Sequence, residues 1–288
     1  MTEAENFFKR ANQLLDRLEN ILPATGPASP LNGEESRCWR CTTNGLEPVK
    51  HVSDINMDDL QCIERQKSAI EQNVRQFVNG LPANNALLWG PRGTGKSSLI
   101  KAIFNAYSNQ GLKLIEVDRD HLQQLPLICD ALYESPGRYI IFCDDLSFEA
   151  NDPGYKAIKV IMDGSITQTP ENVLIHATSN RRHLIPEYMS ENIQSYMEDG
   201  ELHLSEGIEE KLALSERFGL WLAFHPFNQK QYLEIVDYWL QKLGVNVDEP
   251  ETVHKAALQW ALEHGSRSGR SANLFARDWA GKTGLGLV

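Results

Sequence analysis

Gly90-Pro91-Arg92-Gly93-Thr94-Gly95-Lys96-Ser97 fills every fixed position of the pattern G-x-x-x-x-G-K-[ST]. The apolar run Asn85-Ala86-Leu87-Leu88-Trp89 before it predicts a short strand. Ser98-Leu99-Ile100-Lys101-Ala102-Ile103-Phe104 after it predicts the first turns of a helix. A loop in that context is a phosphate site. Its glycines let successive backbone N–H groups turn toward anionic oxygens, and the helix N-terminus adds the positive end of its dipole. Residues 90–98 are thus expected to cradle a nucleoside triphosphate. Lys96 would reach the β- and γ-phosphates, and the Ser97 hydroxyl would ligate Mg²⁺. The plain alternative, a Gly-rich turn with a chance lysine, accounts for neither flank.

The gross composition narrows the setting. At 288 residues, 41% of them hydrophobic, the chain exceeds the usual single-domain size and can bury a sizeable core. A net charge of −11 argues against a surface that coats nucleic acid, while leaving room for a local basic patch. No apolar run approaches a membrane span, and Met1-Thr2-Glu3-Ala4-Glu5 is acidic, unlike a secretory leader. A cytoplasmic location without a membrane partner is expected. Of the five cysteines, Cys38 and Cys41 form a lone C-x-x-C with no second pair to complete a zinc site. Free thiols are expected.

The chain divides by composition. Residues 1–22 predict an amphipathic helix that packs or meets a partner, and residues 23–50 a Pro- and Gly-containing linker and lead-in segment. Residues 51–222 alternate apolar strands with helical stretches, the mark of a parallel α/β sheet. Leu87–Trp89, Leu112–Val117, Tyr139–Cys143 and Val173–Ala177 are the clearest strands. Residues 223–288 predict a small all-α unit with helices over 228–243, 250–264 and 270–280. The stretch 186–213 is strongly acidic and reads either as a solvated loop or as a partner-facing element.

A second constellation completes the first. Tyr139-Ile140-Ile141-Phe142-Cys143 is an apolar strand ending in Asp144-Asp145-Leu146. A carboxylate at the tip of a buried strand beside a phosphate loop holds Mg²⁺ through its water shell, which is the role expected of Asp144. Asp145 is then placed to orient or deprotonate the attacking water. Taken alone, the pair could as well cap the next helix. The strand Val173–Ala177 ends in Thr178-Ser179-Asn180, and an amide there can hydrogen-bond both the γ-phosphate and the water. Without the rest, Asn180 would be a strand-end residue that tolerates a turn.

Two arginine segments follow, Leu214-Ser215-Glu216-Arg217-Phe218-Gly219 and Ser268-Gly269-Arg270-Ser271-Ala272-Asn273. The order of these elements, closed by an α-helical piece, resembles the AAA+ ATPase superfamily. The wording is similar to that of the bacterial domain-of-unknown-function family 815. It is carried by residues 89–98, Asp144-Asp145-Leu146-Ser147-Phe148, Thr178-Ser179-Asn180-Arg181-Arg182-His183-Leu184 and residues 214–220, and it covers roughly residues 37–282.

The resemblance implies an αβα P-loop domain followed by a helical lid, with ATP and Mg²⁺ in the cleft between them. It implies that Arg217 acts as an arginine finger on a neighbouring subunit's γ-phosphate, hence a homo-oligomer. Arg270 would reach from the lid to the nucleotide of its own subunit. Leu60 and Ile63 would pack on adenine, and the family's usual glycine before Ile63 is Cys62 here. Each arginine also has a bland alternative, Arg217 as an internal ion pair with Glu216 or a nearby acid and Arg270 as part of an exposed face. Two functions stay open: an ATPase whose cycle remodels or loads a protein or nucleic-acid client, and a low-turnover ATP-dependent switch or loader that recruits one. A P-loop kinase is disfavoured because the C-terminal lid has no evident second substrate pocket.

Overall fold

The apolar segments pair into one sheet with helices on both faces. The computed structural model describes residues 36–148, 152–163, 170–181, 184, 196–198, 201–203, 214, 216–247 and 249–287. The expected helix over 1–22, most of the linker, Arg182, His183, Ser215 and most of the acidic stretch 186–213 lie outside the described residues.

In chain order the first elements are β1 (Cys38–Thr42), β2 (Gly45–Pro48), α1 (Glu64–Val78), β3 (Ala86–Trp89), α2 (Lys96–Tyr107) and β4 (Leu112–Glu116). Next come α3 (Leu125–Leu132), β5 (Arg138–Cys143), α4 (Pro153–Asp163), β6 (Val173–Ser179), β7 (Tyr196–Glu198) and β8 (Glu201–His203). The last are β9 (Leu220–Ala223), α5 (Gln229–Lys242), α6 (Pro250–Glu263) and α7 (Gly269–Gly284). The seven-stranded sheet runs β2-β1-β4-β5-β6-β3-β9. Every neighbouring pair is parallel except the β1–β2 hairpin. The β7–β8 pair is a separate small hairpin.

Central strands of a parallel sheet covered on both faces are apolar throughout rather than alternating. Accordingly all seven residues of β6 are buried. Side chains alternate between two layers. Leu88, Leu114, Ile140, Phe142 and Leu174 meet Ile70, Val74 and Phe77 of α1 and Leu99 and Ile103 of α2. Leu87, Ile115, Ile141, Cys143, Ile175 and Ala177 meet Ile128 and Leu132 of α3 and Tyr155 and Ile158 of α4. The first layer continues into the C-terminal helices through Tyr232, Ile235, Leu240, Ala257 and Phe275. That continuity sets α5–α7 over the α1–α2 side of the sheet.

The helix starts are written in the sequence. Asn228 caps α5 reciprocally with Gln231: Gln231 N–H donates to Asn228 Oδ1 at 2.9 Å, and Asn228 N–H to Gln231 Oε1 at 3.0 Å. Pro250 occupies the first turn of α6. Ser268 caps α7 by accepting the Ser271 N–H at 3.1 Å.

The α/β fold class is as expected, and the main sheet has three strands more than the apolar runs predicted. Residues 38–48, expected as lead-in, form β1 and β2 and widen the sheet beyond β4. Trp39 and Cys41 bury on one face while Arg40 reaches across to Glu116 at 2.8 Å. Cys38 belongs to one layer and Cys41 to the other, because an odd separation on a strand puts two side chains on opposite faces. The C-x-x-C therefore faces two ways, and all five cysteines are free. The third addition is β9, four residues paired in parallel with β3.

Candidate functional site

The phosphate loop leaves β3 at Trp89 and enters α2 at Lys96. Its shape depends on close approaches that side chains would prevent. Gly90 sits at φ +141°, and a Cβ there would fall 2.1 Å from the Phe224 carbonyl oxygen, just beyond β9. Gly93 sits at φ +76°, and a Cβ there would fall 2.8 Å from Ser268 at the start of α7. The Gly269 N–H donates to the Gly93 carbonyl at 2.9 Å, so the lid helix begins directly on the loop.

Lys96 is the buried cation of the site. Its Nζ donates to the carbonyls of Gly90 at 2.7 Å and Pro91 at 2.8 Å, and to Asn180 Oδ1 at 3.2 Å. Burial holds its pKa below the usual lysine value, while Asp145 and Asp144 pull it back up. Ser97 Oγ donates to Asp144 Oδ1 at 2.6 Å. The Asn180 amide donates to Asp145 Oδ1, and Arg92 lies 3.5 Å from Asp145 Oδ2. Asp145 adopts φ +51°, a left-handed backbone that is uncommon for a residue other than glycine. The residues expected at the phosphates and the metal thus share one corner of the molecule.

The corner opens into a cleft of about 560 Å³, within the usual range of small-molecule sites. The loop residues Arg92 to Ser98, Asp144, Asp145, Thr178 and Asn180 form its polar end. Ile55, Leu60 and Ile63 wall the apolar end from the core side, and Phe227, Ile235 and Trp239 wall it from the lid. Leu60 and Ile63 abut the loop: a Cβ on Gly95 would lie 3.7 Å and 3.6 Å from their methyls. Arg270, on the first turn of α7, lines the same cleft with Asn273 and Leu274.

The segment carrying Leu60 and Ile63 is tied to the lid. The buried carboxylate of Asp59 accepts from Tyr238 at 2.6 Å and pairs with Lys242, both on α5, and accepts the Asn56 N–H at 2.9 Å. Burial opposes its ionisation, but these bonds outweigh burial and hold its pKa below the ordinary carboxylate value. Cys62 takes φ +63°, the left-handed backbone that glycine favours. Its Sγ lies 3.3 Å from Glu234 on α5, and burial followed by that carboxylate pushes the thiol up to about 12.

Arg217 stands elsewhere. It precedes β9, whose Leu220 pairs with Ala86 at the N-terminal end of β3, whereas the phosphate loop leaves the C-terminal end. Phe227, Ile235, Trp239, Asn273 and Leu274 of the lid were not singled out from the sequence, and neither was Thr178. The amphipathic spacing of α5 was the available signal for Ile235 and Trp239.

The donor set fits a Mg²⁺-bound nucleoside triphosphate. The buried lysine suits the phosphates, and a serine hydroxyl bonded to a carboxylate matches what Mg²⁺ takes, one or two protein oxygens with substrate phosphates completing the shell. Among the described residues no cluster of three or more His, Cys, Asp or Glu forms a metal cage, and no helix is long and apolar enough to cross a membrane.

Parallel strands in the order β4-β5-β6-β3-β9, a phosphate loop leaving β3 and a helical lid over the loop make this an AAA+ P-loop fold. The model of the family described as protein of unknown function DUF815 matches residues 34–283, and the chain belongs to that family. Among solved structures, the ORC1 protein of Aeropyrum pernix in complex with DNA is 17% identical, with a TM-score of 0.51 over 78% of this chain and 59% of that one. The RuvB Holliday junction branch migration motor of Thermotoga maritima is 17% identical, with a TM-score of 0.48 over 78% of this chain. The chain spans 64% of that RuvB's length. The FIGL-1 AAA domain in complex with ADP is 18% identical, with a TM-score of 0.49 over 80% of this chain and 74% of that one. Identities this low speak to the fold alone. No curated protein matches the chain in sequence.

Proposed function

We propose that this chain binds ATP with Mg²⁺ in the cleft between the α/β layer and the lid and hydrolyses it. We further propose that it works as an assembled ATPase whose cycle remodels or loads a protein or nucleic-acid client. The observation that carries the reading is the convergence of Lys96, Ser97–Asp144 and Asn180–Asp145 on one end of a cleft whose other end is apolar. Residues 90–98 hold the phosphates, with Lys96 neutralising the β- and γ-oxygens. Ser97 and Asp144 hold Mg²⁺, which supplies charge neutralisation on the transferring phosphoryl group. Asp145 and Asn180 orient the water for in-line attack, and Arg270 reaches the phosphates from the lid. Leu60 and Ile63, with the lid wall opposite, enclose the base. Arg217 serves the next subunit's site.

The second reading, a low-turnover switch that recruits a partner, is favoured by one feature: both carboxylate oxygens of Asp145 are engaged, by Asn180 and Arg92. Phosphate release and ATP affinity measured on the same preparation separate the two. Turnover that rises with protein concentration supports the ATPase, tight binding without turnover supports the switch, and absence of binding overturns both. Capture from cells with the Asp145→Asn chain then identifies the client in the ATP state.

A further inference from the structure

Thr178 is a buried hydroxyl that the sequence motif does not single out, and it stands at the centre of the acid pair. The sheet puts it there. Cys143 pairs with Ala177 across the parallel β5–β6 ladder, so one step on Thr178 stands beside Asp144. Asp144 continues the face of Ile140 and Phe142, and Thr178 continues the face of Leu174, which is the face that α2 covers. Both side chains therefore lie beneath the N-terminus of α2, in whose first turn Ser97 stands.

The hydroxyl works in both directions. Thr178 Oγ1 donates to Asp144 Oδ1 at 2.5 Å and accepts the Asp145 N–H at 2.9 Å. Its carbonyl accepts the Leu146 N–H at 2.7 Å. Asp144 Oδ1 thus receives Ser97 Oγ, Thr178 Oγ1 and, at 3.1 Å, the Asp145 N–H. Among the described residues no hydrogen bond falls on its Oδ2. The bond to the Asp145 amide holds a non-glycine residue at φ +51°, a backbone that L-residues adopt only at a cost. Valine has the same shape as threonine and would keep the packing, but it can make neither side-chain bond.

We propose that Thr178 is the positioning residue of the Asp144–Asp145 pair. By loading Asp144 Oδ1 it reserves Oδ2 for the metal's water shell, and by holding the Asp145 amide it fixes the turn that aims the Asp145 carboxylate at the γ-phosphate. The role rests on the ATP and Mg²⁺ reading above and extends it to a residue that acts through Asp144 and Asp145. A hydroxyl that orients a metal-holding carboxylate is worth about 10- to 100-fold in metal affinity or activity.

The test compares Thr178→Val with Thr178→Ser. Mn²⁺ is titrated by electron paramagnetic resonance in the presence of a β,γ-imido ATP analogue, and ATP affinity without metal and kcat are measured alongside. Thr178→Val should bind Mn²⁺ about 10- to 100-fold more weakly and lose kcat by a similar factor. Its metal-free nucleotide affinity should stay at the wild-type value, because the phosphate loop is untouched. Thr178→Ser, which keeps the hydroxyl, should recover both properties. A Thr178→Val chain equal to wild type in Mn²⁺ affinity overturns the assignment, as does a Thr178→Ser chain as impaired as Thr178→Val. If the wild type binds nucleotide without turnover, the ATPase reading fails and the Mn²⁺ comparison still decides this one. If the wild type binds no nucleotide, both fall.

Discussion

Arg217 and Lys96 lie beyond opposite ends of the same strand pair. Leu220 of β9 is level with Ala86 of β3 and Ala223 with Trp89, so Arg217 precedes the ladder and the phosphate loop follows it. Four residues of strand, roughly 13 Å, separate the two ends. Arg217 thus sits at the end of the sheet opposite to the phosphate loop of its own chain. That placement suits the proposed role of Arg217 on the γ-phosphate of an adjoining copy.

Arginine fingers are typically worth about 10³ or more in rate. Arg217→Ala should therefore keep ATP affinity and lose hydrolysis on that scale, and wild-type turnover per subunit should climb with protein concentration. Mixing Arg217→Ala with Asp145→Asn should restore activity, because an Asp145→Asn subunit lends Arg217 to an Arg217→Ala neighbour. Concentration-independent turnover, or mixtures no more active than either mutant, would remove Arg217 from the neighbour's site.

Lys96 donates to two loop carbonyls and to Asn180, so its charge is already held where the phosphates would lie. Lys96→Ala should abolish ATP binding while the chain stays folded, since the remaining loop donors are neutral amides and hydroxyls apart from exposed Arg92. Titration with a labelled ATP analogue, with circular dichroism as the check on folding, decides it. Undiminished affinity would place the phosphates elsewhere.

Asp145 is the acid nearest to Asn180 and Arg92, and its loss should separate binding from chemistry. Asp145→Asn should retain ATP and Mg²⁺ and lose turnover by about 10² or more, the range of positioned acid–base groups. A single-turnover assay reads this directly. Turnover that survives the substitution would assign the water's partner to another residue.

Much of this site was legible because its parts are local. The loop from Gly90 to Ser97, the acids after β5 and the asparagine after β6 each follow an apolar run, and a parallel sheet brings such C-terminal ends to one edge. What was not legible depends on partners distant in sequence. β9 is four residues long and is a strand only because β3 offers its free edge. β1 reads as a cysteine motif until β4 pairs with it and turns Cys38 and Cys41 to opposite faces. Trp239 and Ile235 look like ordinary core positions of an amphipathic helix, and only the docking of α5 brings them to the cleft. Thr178 required the β5–β6 register. The departure at Cys62 was visible as a missing glycine, whereas the left-handed backbone there was not.

His176 gives the fold a pH dependence of its own. It lies in the middle of β6, fully buried, beside Ala86 and Phe142 in the neighbouring strands, and neither ring nitrogen has a hydrogen-bond partner among the described residues. Burial lowers its pKa from 6.5 to about 3. The unfolded chain therefore binds a proton between those values that the folded chain refuses, so stability rises with pH across that window. Above about pH 6.5 the residue costs nothing through protonation. As pH falls toward 3 the penalty grows to about 5 kcal/mol at most, at 1.36 kcal/mol per unit. His176→Leu removes the titrating group and the unpartnered nitrogens together. Urea unfolding at pH 6.5 and pH 5.0 should show wild type losing about 2 kcal/mol more than His176→Leu over that interval. Parallel losses in the two proteins would mean that the imidazole is protonated or solvated in the folded state.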